Sequence, residues 1–390
     1  MKHLTRLLFI LTVFISANAL AQEAYTISGI VINKKQEPIK NATVFISGSK
    51  KITATDANGR FTFDGMTAGN YQISTKMLGY DAPAQAITIH DRSVSITISL
   101  SAKSITLNEV NIGTDKNRER FYNMFKTQFL GGSKDAKNCT ILNPETIDFS
   151  SKGVGPDDIL LKANASDLLI IKNEQLGYKI KYLLRSFEYN SKTHITFYDG
   201  DTNFEEMAGT DEQKKVWATN RLAAYNGSLM HFLRSVYSNT VLNEGFIANQ
   251  MVKSRNSFDP KIYMIPTPVK FDTLVTKIDT SFISFKFTAL NIVYNPKEVV
   301  RLKDKELKIQ KQTNHTTAEK PSGKDALVNI TEIKKSSQLF LYLKEAVIDA
   351  RGSVSTGYKT FLIRGNWANK RIGEQLPFEY LPPKLTLTIN

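Results

Sequence analysis

The densest group of chemistry-bearing side chains lies in two consecutive helical segments near the middle of the chain. His231 and Arg234 share one helix face because of their spacing, and Ser228 lies just before them. Arg221 and Tyr225 lie one turn apart in the preceding segment. These residues predict a binding surface for an anion or a glycan, or a serine–histidine pair in a hydrolase. The other interpretation is structural, with Ser228 as a helix cap and the charged groups holding the two helices together.

Metal and nucleotide chemistry have little support in the sequence. His90, His194, His231 and His315 lie far apart, and the sequence contains no HExxH, HxH or CxxC spacing. It also contains neither a GxSxG nor a P-loop motif. The segment SGSK at residues 47–50 fits an SxxK pattern, but it lies in a predicted β-turn rather than on a helix. We therefore expect no metal or other cofactor, and a non-enzymatic protein is favoured over a hydrolase.

The composition is that of a folded chain with a basic surface. Of the 390 residues, 41% are hydrophobic and 23% are charged, which suits folded domains. The formal net charge of +14 favours acidic partners such as lipopolysaccharide, anionic glycans or lipid headgroups, or serves only to solvate the surface. Nucleic acid is not expected, because no run of lysine or arginine interleaves with aromatic residues. Cys139 is the single cysteine, so no internal disulfide can form.

Residues 1–21 have the three parts of a secretory signal peptide. Lys2 and Arg6 supply positive charge, residues 7–15 are almost wholly apolar, and the segment ends in Ala-Leu-Ala. No cysteine adjoins the predicted cleavage site, so a bacterial lipoprotein is not expected. No later segment is long and apolar enough for a membrane-spanning helix. The sequence therefore predicts export to the periplasm, the outer membrane or the cell surface.

Residues 24–101 read as short strands with alternating apolar positions, separated by turns. One turn is predicted at Asp56, Asn58 and Gly59, because the first two side chains can bond to their own backbone and glycine permits a positive φ. A calcium loop would need the EF-hand spacing and its terminal glutamate, which this segment does not have. About six or seven short strands at this spacing predict a β-sandwich.

This segment contains the ordered blocks GIV at residues 29–31, EPIKNATVFI at 37–46, TATDANGRFTF at 53–63, GNYQI at 69–73 and GY at 79–80. Together they resemble the carboxypeptidase regulatory-like domain. The resemblance implies an immunoglobulin-like, transthyretin-like β-sandwich of a type that is common in exported Bacteroidota proteins. It also implies an accessory role in binding or spacing, and no catalysis.

The stretch from residue 102 to residue 117 reads as a linker. Its LNEVNIG at residues 107–113 is similar to the linker that follows such modules in TonB-dependent receptors. The chain that follows is too short for the plug and large barrel of those receptors. We therefore expect the β-sandwich module without the plug and barrel of a TonB-dependent receptor.

Residues 118–390 are predicted to form an α+β domain with an antiparallel sheet. Helices are expected at 118–130, at 211–225 with Thr210 or Asp211 as cap, and after Ser228. A polar segment at about 303–326 is expected to be an exposed loop. Strands are expected at residues 168–171, 177–184, 187–189, 194–198, 270–275, 281–289, 327–333, 338–343 and 360–364. The whole chain is thus predicted to be a β-rich protein of two domains.

A second set of residues is spread over the helical segments and the C-terminal part: Trp217, Arg221, Ala224, Tyr225, Gly227, Ser228, HFLR at 231–234, Asn366, Trp367, Arg371 and LPFEY at 376–380. Their pattern resembles a region of unassigned function that accompanies the same sandwich in exported Bacteroidota proteins. We therefore expect a non-enzymatic cell-envelope protein. Its sandwich would serve as a binding or spacer module, and its α+β region would contact a protein or glycan partner. The alternative is a cryptic hydrolase that acts on envelope polymers.

Overall fold

The computed structural model describes residues 24–81, 83–103, 115–253, 262–301, 328–329, 336–355 and 360–383. The predicted signal peptide, the receptor-like linker sequence at residues 107–113 and the predicted polar loop lie outside these residues. The described residues are rich in strands, which form five sheets. No helix in this part of the chain is long and apolar enough to cross a membrane.

The N-terminal unit is a β-sandwich. Its strands are β1 (Tyr25–Asn33), β2 (Thr43–Ile46), β3 (Ile52–Ala54), β4 (Arg60–Met66), β5 (Gly69–Lys76), β6 (Tyr80–Asp81), β7 (Gln85–Ile89) and β8 (Val94–Ala102). One sheet has the order β4-β1-β8-β6 and the other β3-β2-β5-β7. Apolar side chains from both sheets meet between them, among them Ile27, Val44, Phe61 and Ile73. The predicted sandwich is therefore confirmed.

The next unit packs a helix on a six-stranded sheet. Its elements are α1 (Asp115–Leu130), α2 (Lys134–Lys137), β9 (Cys139–Ile141), β10 (Ile147–Gly153), β11 (Ile159–Ala165), β12 (Leu169–Asn173), β13 (Tyr178–Asn190) and β14 (Ile195–Glu206). The order is β10-β11-β13-β12-β9, and β14 pairs with β13. Phe125 and Phe129 form the apolar stripe of α1, and their ring centres lie 4.7 Å from Phe187 and 4.8 Å from Tyr182 respectively.

The C-terminal part joins three helices to two further sheets. Its elements are α3 (Asp211–Tyr225), α4 (Leu229–Tyr237), β15 (Phe246–Lys253), β16 (Ile262–Pro268), β17 (Val275–Lys277), β18 (Phe282–Phe285), β19 (Ala289–Tyr294), β20 (Val328–Asn329), β21 (Ser337–Leu341), β22 (Ala346–Asp349), β23 (Phe361–Gly365) and α5 (Asn366–Asn369). One sheet has the order β20-β16-β15-β19-β21-β23, and the other has the order β17-β18-β22. The apolar face of α4, with Phe232, Leu233 and Val236, packs into the core that these strands form.

Some strand predictions are wrong. Residues 270–275 do not form one strand, because Thr273 donates to the carbonyl of Lys270 through both its N–H and its hydroxyl and so closes a 3₁₀ turn. Residues 281–289 divide between β18 and β19, which belong to different sheets. Residues 177–184 and 187–189 are instead one continuous strand, β13. Six strands of the α+β region have no counterpart in the sequence prediction, namely β9, β10, β11, β15, β16 and β22.

Candidate functional site

α3 and α4 meet at a short turn, and each helix has its own cap. Thr210 and Gln213 form a capping box at the start of α3, in which each side chain accepts from the other residue's backbone N–H. Ser228 caps α4, because its hydroxyl oxygen accepts from the backbone N–H of His231 at 3.1 Å. Both caps are among those that the sequence predicts.

His231 is buried at this turn and uses both nitrogens of its ring. Nδ1 accepts from the backbone N–H of Gly227 at 3.1 Å, and Nε2 lies 3.2 Å from a carboxylate oxygen of Glu244. The ring hydrogen therefore belongs on Nε2, from where it is donated to Glu244. Burial lowers the pKa of His231, and the attraction of Glu244 opposes that effect only in part. The neutral imidazole is a fixed part of the turn, stacked on the ring of Tyr225 at 4.6 Å.

Ser228 and His231 do not contact each other in the way a catalytic pair would. The hydroxyl of Ser228 contacts the backbone of His231 rather than its ring. A general base must reach the proton that it removes, and Nδ1 of His231 already accepts from Gly227. The carboxylate of Glu244 does contact Nε2 of the imidazole, but the group that contacts Nδ1 is the N–H of Gly227 and not the hydroxyl of Ser228.

Arg221 fixes α3 to the neighbouring sheet. Its Nε donates to the carbonyl of Leu176 at 2.7 Å, and its Nη2 donates to the carbonyl of Gly177 at 3.2 Å. The guanidinium also lies 3.9 Å from the ring centre of Tyr178, which is a cation–π contact. Its charge is thus directed at the sheet rather than at His231.

Arg234 fixes α4 to more distant parts of the chain. Its three nitrogens donate to the carbonyls of Arg351, Tyr380 and Phe378, at 3.0, 2.8 and 2.9 Å. The structure therefore brings Tyr225, Ser228 and His231 together. The guanidinium of Arg234 also lies 5.5 Å from the ring centre of Tyr225, whereas Arg221 points to a different backbone segment. The binding role of this cluster stays a prediction.

The turn predicted at Asp56 is present in the sandwich. Its Oδ1 accepts from the backbone N–H groups of Asn58 and Arg60 at 2.8 and 2.7 Å. Gly59 has a φ of +71°, as such a turn requires. In the ranges that the structure describes, no group of three or more potential metal ligands occurs.

A cleft of about 280 Å³ opens beside the turn between α3 and α4. The turn supplies Asn226 and Gly227, and Tyr294 comes from the end of β19. The remaining polar and aromatic lining comes from β21 and the α5 region, as Ser337, Asn366, Trp367 and Lys370. No sequence motif marks this cleft, because its walls come from segments far apart in the chain.

The backbone of Gly227 is held on both sides and fixes the wall of the cleft. Its N–H donates to His231, and its carbonyl accepts from Nε1 of Trp367 at 2.7 Å. Gly227 has a φ of +70°, and a Cβ there would lie 2.6 Å from the ring of Tyr294. Only glycine therefore allows the turn and the tyrosine ring to approach this closely.

The side-chain amides of the cleft are available to a ligand. Asn226 is half-buried and Asn366 is exposed. Within the described part of the chain, neither carboxamide has a hydrogen-bond partner, in contrast to Ser228, His231 and the two arginines beside them. This difference makes the cleft, rather than the predicted cluster, the candidate binding site.

The sandwich is docked on the rest of the chain through one face of β5. We define this docking face by Asn70, Gln72 and Ser74, which alternate with core residues along the strand. Gln72 and Ser74 donate to the carboxylate of Asp201 on β14. The backbone N–H of Asn70 donates to Asp349 on β22 at 2.9 Å. Both carboxylates are buried.

The SGSK segment is part of the same interface. The N–H of Gly48 donates to the carbonyl of Thr202 at 2.7 Å, and the N–H of Phe204 donates to the carbonyl of Ser49 at 2.9 Å. Lys50 forms an ion pair with Glu206 at 3.1 Å. This turn therefore pairs with the edge of β14 through Gly48 and Ser49, and the lysine of the SxxK pattern is engaged in an ion pair.

Family comparison identifies the N-terminal unit. The family described as CarboxypepD_reg-like domain matches residues 27–112. The N-terminal unit is a CarboxypepD_reg-like domain. The resemblance that the sequence blocks suggested is thus confirmed, whereas a Bacteroidota origin stays a prediction. The CarboxypepD_reg-like domain contains the turn at Asp56 and the docking face, and its match extends past residue 101 into the predicted linker.

No curated protein is found to match the chain. A minor pilin of Streptococcus agalactiae is similar at 15% identity with a TM-score of 0.20, over 22% of this chain and 48% of that one. A 3-chlorocatechol 1,2-dioxygenase of Rhodococcus opacus is similar at 10% identity and a TM-score of 0.19, over 22% of this chain and 62% of that one. The C-terminal domain of a shaft pilin of Lactobacillus rhamnosus is similar at 15% identity and a TM-score of 0.18, over 21% of this chain and 99% of that one. The chain thus spans about half of the minor pilin, and TM-scores this low establish no shared overall fold.

Proposed function

We propose that this protein is a non-enzymatic, exported cell-envelope protein that binds a protein or glycan partner through its α+β region. The observation that carries the proposal is the contrast at the helix junction. Ser228 and His231 are engaged by backbone groups, whereas the cleft beside them offers the amides of Asn226 and Asn366. The signal-peptide pattern of residues 1–21 supports export, and the positive charge suits an anionic envelope.

In this proposal the CarboxypepD_reg-like domain acts as a fixed brace rather than as a flexible spacer. Its docking face is held by two buried carboxylates, Asp201 and Asp349. Buried charges in proteins are paired or hydrogen-bonded, and the loss of one partner is costly. The brace would keep the cleft in one orientation relative to the sandwich.

A hydrolase acting on envelope polymers is the alternative function, and variants at Ser228 separate the two. Aspartate can cap a helix as serine does, whereas alanine cannot, and both variants lack the hydroxyl nucleophile. We expect Ser228→Asp to recover the same envelope partners as the wild type in a crosslinking pull-down. We also expect the wild type to release no products from peptidoglycan or envelope polysaccharide.

Two results would overturn the proposal. One is hydrolysis by the wild type that is lost in Ser228→Asp, with no partner recovered by either protein. The other is cell fractionation that finds the protein in the cytoplasm with its first residues still attached. Recovery in the periplasmic or outer-membrane fraction, with the N-terminus cut near residue 21, is the expected outcome.

A further inference from the structure

We infer that the cleft between the α3–α4 turn and α5 binds one neutral sugar ring, so that the partner is a glycan. This inference rests on the proposed binding function and names its ligand class. The lining combines two aromatic side chains, Tyr294 and Trp367, with the two carboxamides of Asn226 and Asn366. A sugar ring has matching parts, since its faces are C–H groups and its edge is a row of hydroxyl groups.

The hydrogen-bonding groups of the cleft suit hydroxyl groups. A carboxamide donates and accepts at the same time, and so does a hydroxyl group. Ser337 accepts from the backbone N–H of Trp367 at 3.2 Å, which leaves its hydroxyl hydrogen to donate to a ligand. Burial raises the pKa of Tyr294, so its hydroxyl also stays a donor. These groups can pair with several sugar hydroxyls without any charge on the ligand.

The charge of the lining disfavours an anion. Lys370 is the ionised side chain in the lining, and its ammonium lies 3.5 Å from the carboxylate of Glu374. The side chain of Glu374 is only 7% exposed. Because this positive charge is already compensated, a sulfate or carboxylate group would gain little from entering the cleft.

The size of the cleft sets the length of the ligand that it can enclose. Its volume of about 280 Å³ lies just below the usual range of ligand pockets, which limits it to one ring. Asn366 is exposed at the rim, so the rest of a glycan chain can continue into solvent. The cleft therefore fits one unit of a longer envelope polysaccharide.

The two tryptophans of the chain provide a direct assay. Trp367 lines the cleft, whereas Nε1 of Trp217 donates to the carbonyl of Glu174 elsewhere in the fold. In the purified protein with ¹⁵N-labelled tryptophan, we titrate glucose, galactose, mannose and N-acetylglucosamine, with glucuronate and inorganic phosphate as anionic probes. We expect at least one neutral sugar to shift the indole resonance of Trp367 and to leave that of Trp217 unchanged.

Matched variants locate the contact. Asn366→Ala removes an amide of the rim and should weaken the binding of that sugar about tenfold. Asn369→Ala changes an exposed asparagine of the same short helix that does not line the cleft, and it should bind as the wild type does. Gly227→Ala should abolish binding, because its Cβ would displace the ring of Tyr294.

Three outcomes would overturn the inference. They are a Trp367 resonance that no neutral sugar shifts, binding that Asn366→Ala and Gly227→Ala leave unchanged, and shifts caused by glucuronate and phosphate alone. If any of them occurs while the pull-down still recovers an envelope protein, the sugar site fails and the proposed binding function stands. If the pull-down also recovers nothing, both fail.

Discussion

Ser74 and Asp201 meet across the interface between the CarboxypepD_reg-like domain and the α+β region. The hydroxyl of Ser74 donates to one carboxylate oxygen of Asp201, and Gln72 donates to the other at 2.6 Å. Arg185 donates to the same carboxylate from within the α+β region. Ser74 and Asp201 are each 1% exposed. A double-mutant cycle on these two residues therefore measures how firmly the docking face is held.

The expected coupling energy between Ser74 and Asp201 follows from the negative charge of the acceptor, Asp201. Ser74→Ala removes a hydrogen bond to an ionised group, so the free energy of unfolding should fall by about 1.5–3 kcal/mol. In the Asp201→Asn protein the same serine bonds to a neutral oxygen, and its removal should lower that free energy by only about 0.5–1.5 kcal/mol. The coupling energy should thus be about 1 kcal/mol. Equilibrium unfolding in urea of the wild type, both single variants and the double variant gives this value.

Ser99→Ala is the matched control for the cycle. Ser99 is an exposed serine on β8 of the same sandwich, so its replacement should change the free energy of unfolding by less than about 0.5 kcal/mol. The reasoning is refuted if the coupling energy is zero within error. It is also refuted if Ser74→Ala costs no more than Ser99→Ala.

Other predictions concern the helix junction and the turn of the sandwich. Burial lowers the pKa of His231 in the folded protein. As pH falls below about 6.5, the imidazole is therefore protonated more readily in the unfolded state than in the folded state, and the free energy of unfolding decreases. Between about pH 7.5 and about pH 5.5 the urea midpoint should drop more for the wild type than for His231→Gln, and equal drops would contradict this. Ser228→Ala should lower the free energy of unfolding by about 1 kcal/mol and Ser228→Asp by much less, so equal losses in urea would exclude the capping role. Gly59→Ala should lower it by about 1–3 kcal/mol, because its Cβ would lie 2.5 Å from the carbonyl oxygen of Val31, and an unchanged melting temperature would contradict this.

The helices of the junction could be predicted because their signals are local. Thr210 and Ser228 are good N-cap residues at the right distance before an apolar stripe, and the structure starts α3 and α4 directly after them. The turn at Asp56 was predictable for the same reason, since Asp56 accepts from the nearby N–H groups of Asn58, Gly59 and Arg60. In each case the partners lie within a few residues of each other.

The docking face could not be predicted in this way. Asn70, Gln72 and Ser74 alternate with apolar residues, which is the pattern of a strand with one solvent-exposed face. The structure instead covers this face with Asp201 and Asp349, which lie far along the chain. In the sequence, a polar residue that is buried against a distant polar partner looks the same as one that is exposed to solvent.

The cleft could not be predicted from the sequence either, because the residues that line it lie far apart in the chain. Gly227 and Trp367, which fix its wall through one hydrogen bond, are 140 residues apart. The sequence marks Asn226 and Gly227 only as a helix break, and Asn366 and Trp367 only as part of a family-like pattern. The neighbouring strands β19, β21 and β23 of one sheet bring the other walls of the cleft together, and the hydrogen bond from Trp367 adds the turn at Gly227.

The docking face and the wall of the cleft are connected through Arg351. Its Nη2 donates to the carbonyl of Asn70 on β5 and to the carboxylate of Asp349. Its own carbonyl accepts from Arg234 on α4, the helix that begins at the turn lining the cleft. Because packed polar contacts transmit displacement between elements, a change in the position of the sandwich moves the support of α4. Phe378 provides a second link, because its N–H donates to the carbonyl of Gly48 in the sandwich and its carbonyl accepts from Arg234. We therefore expect the position of the CarboxypepD_reg-like domain to affect the shape of the cleft, as it would not for a spacer without these contacts.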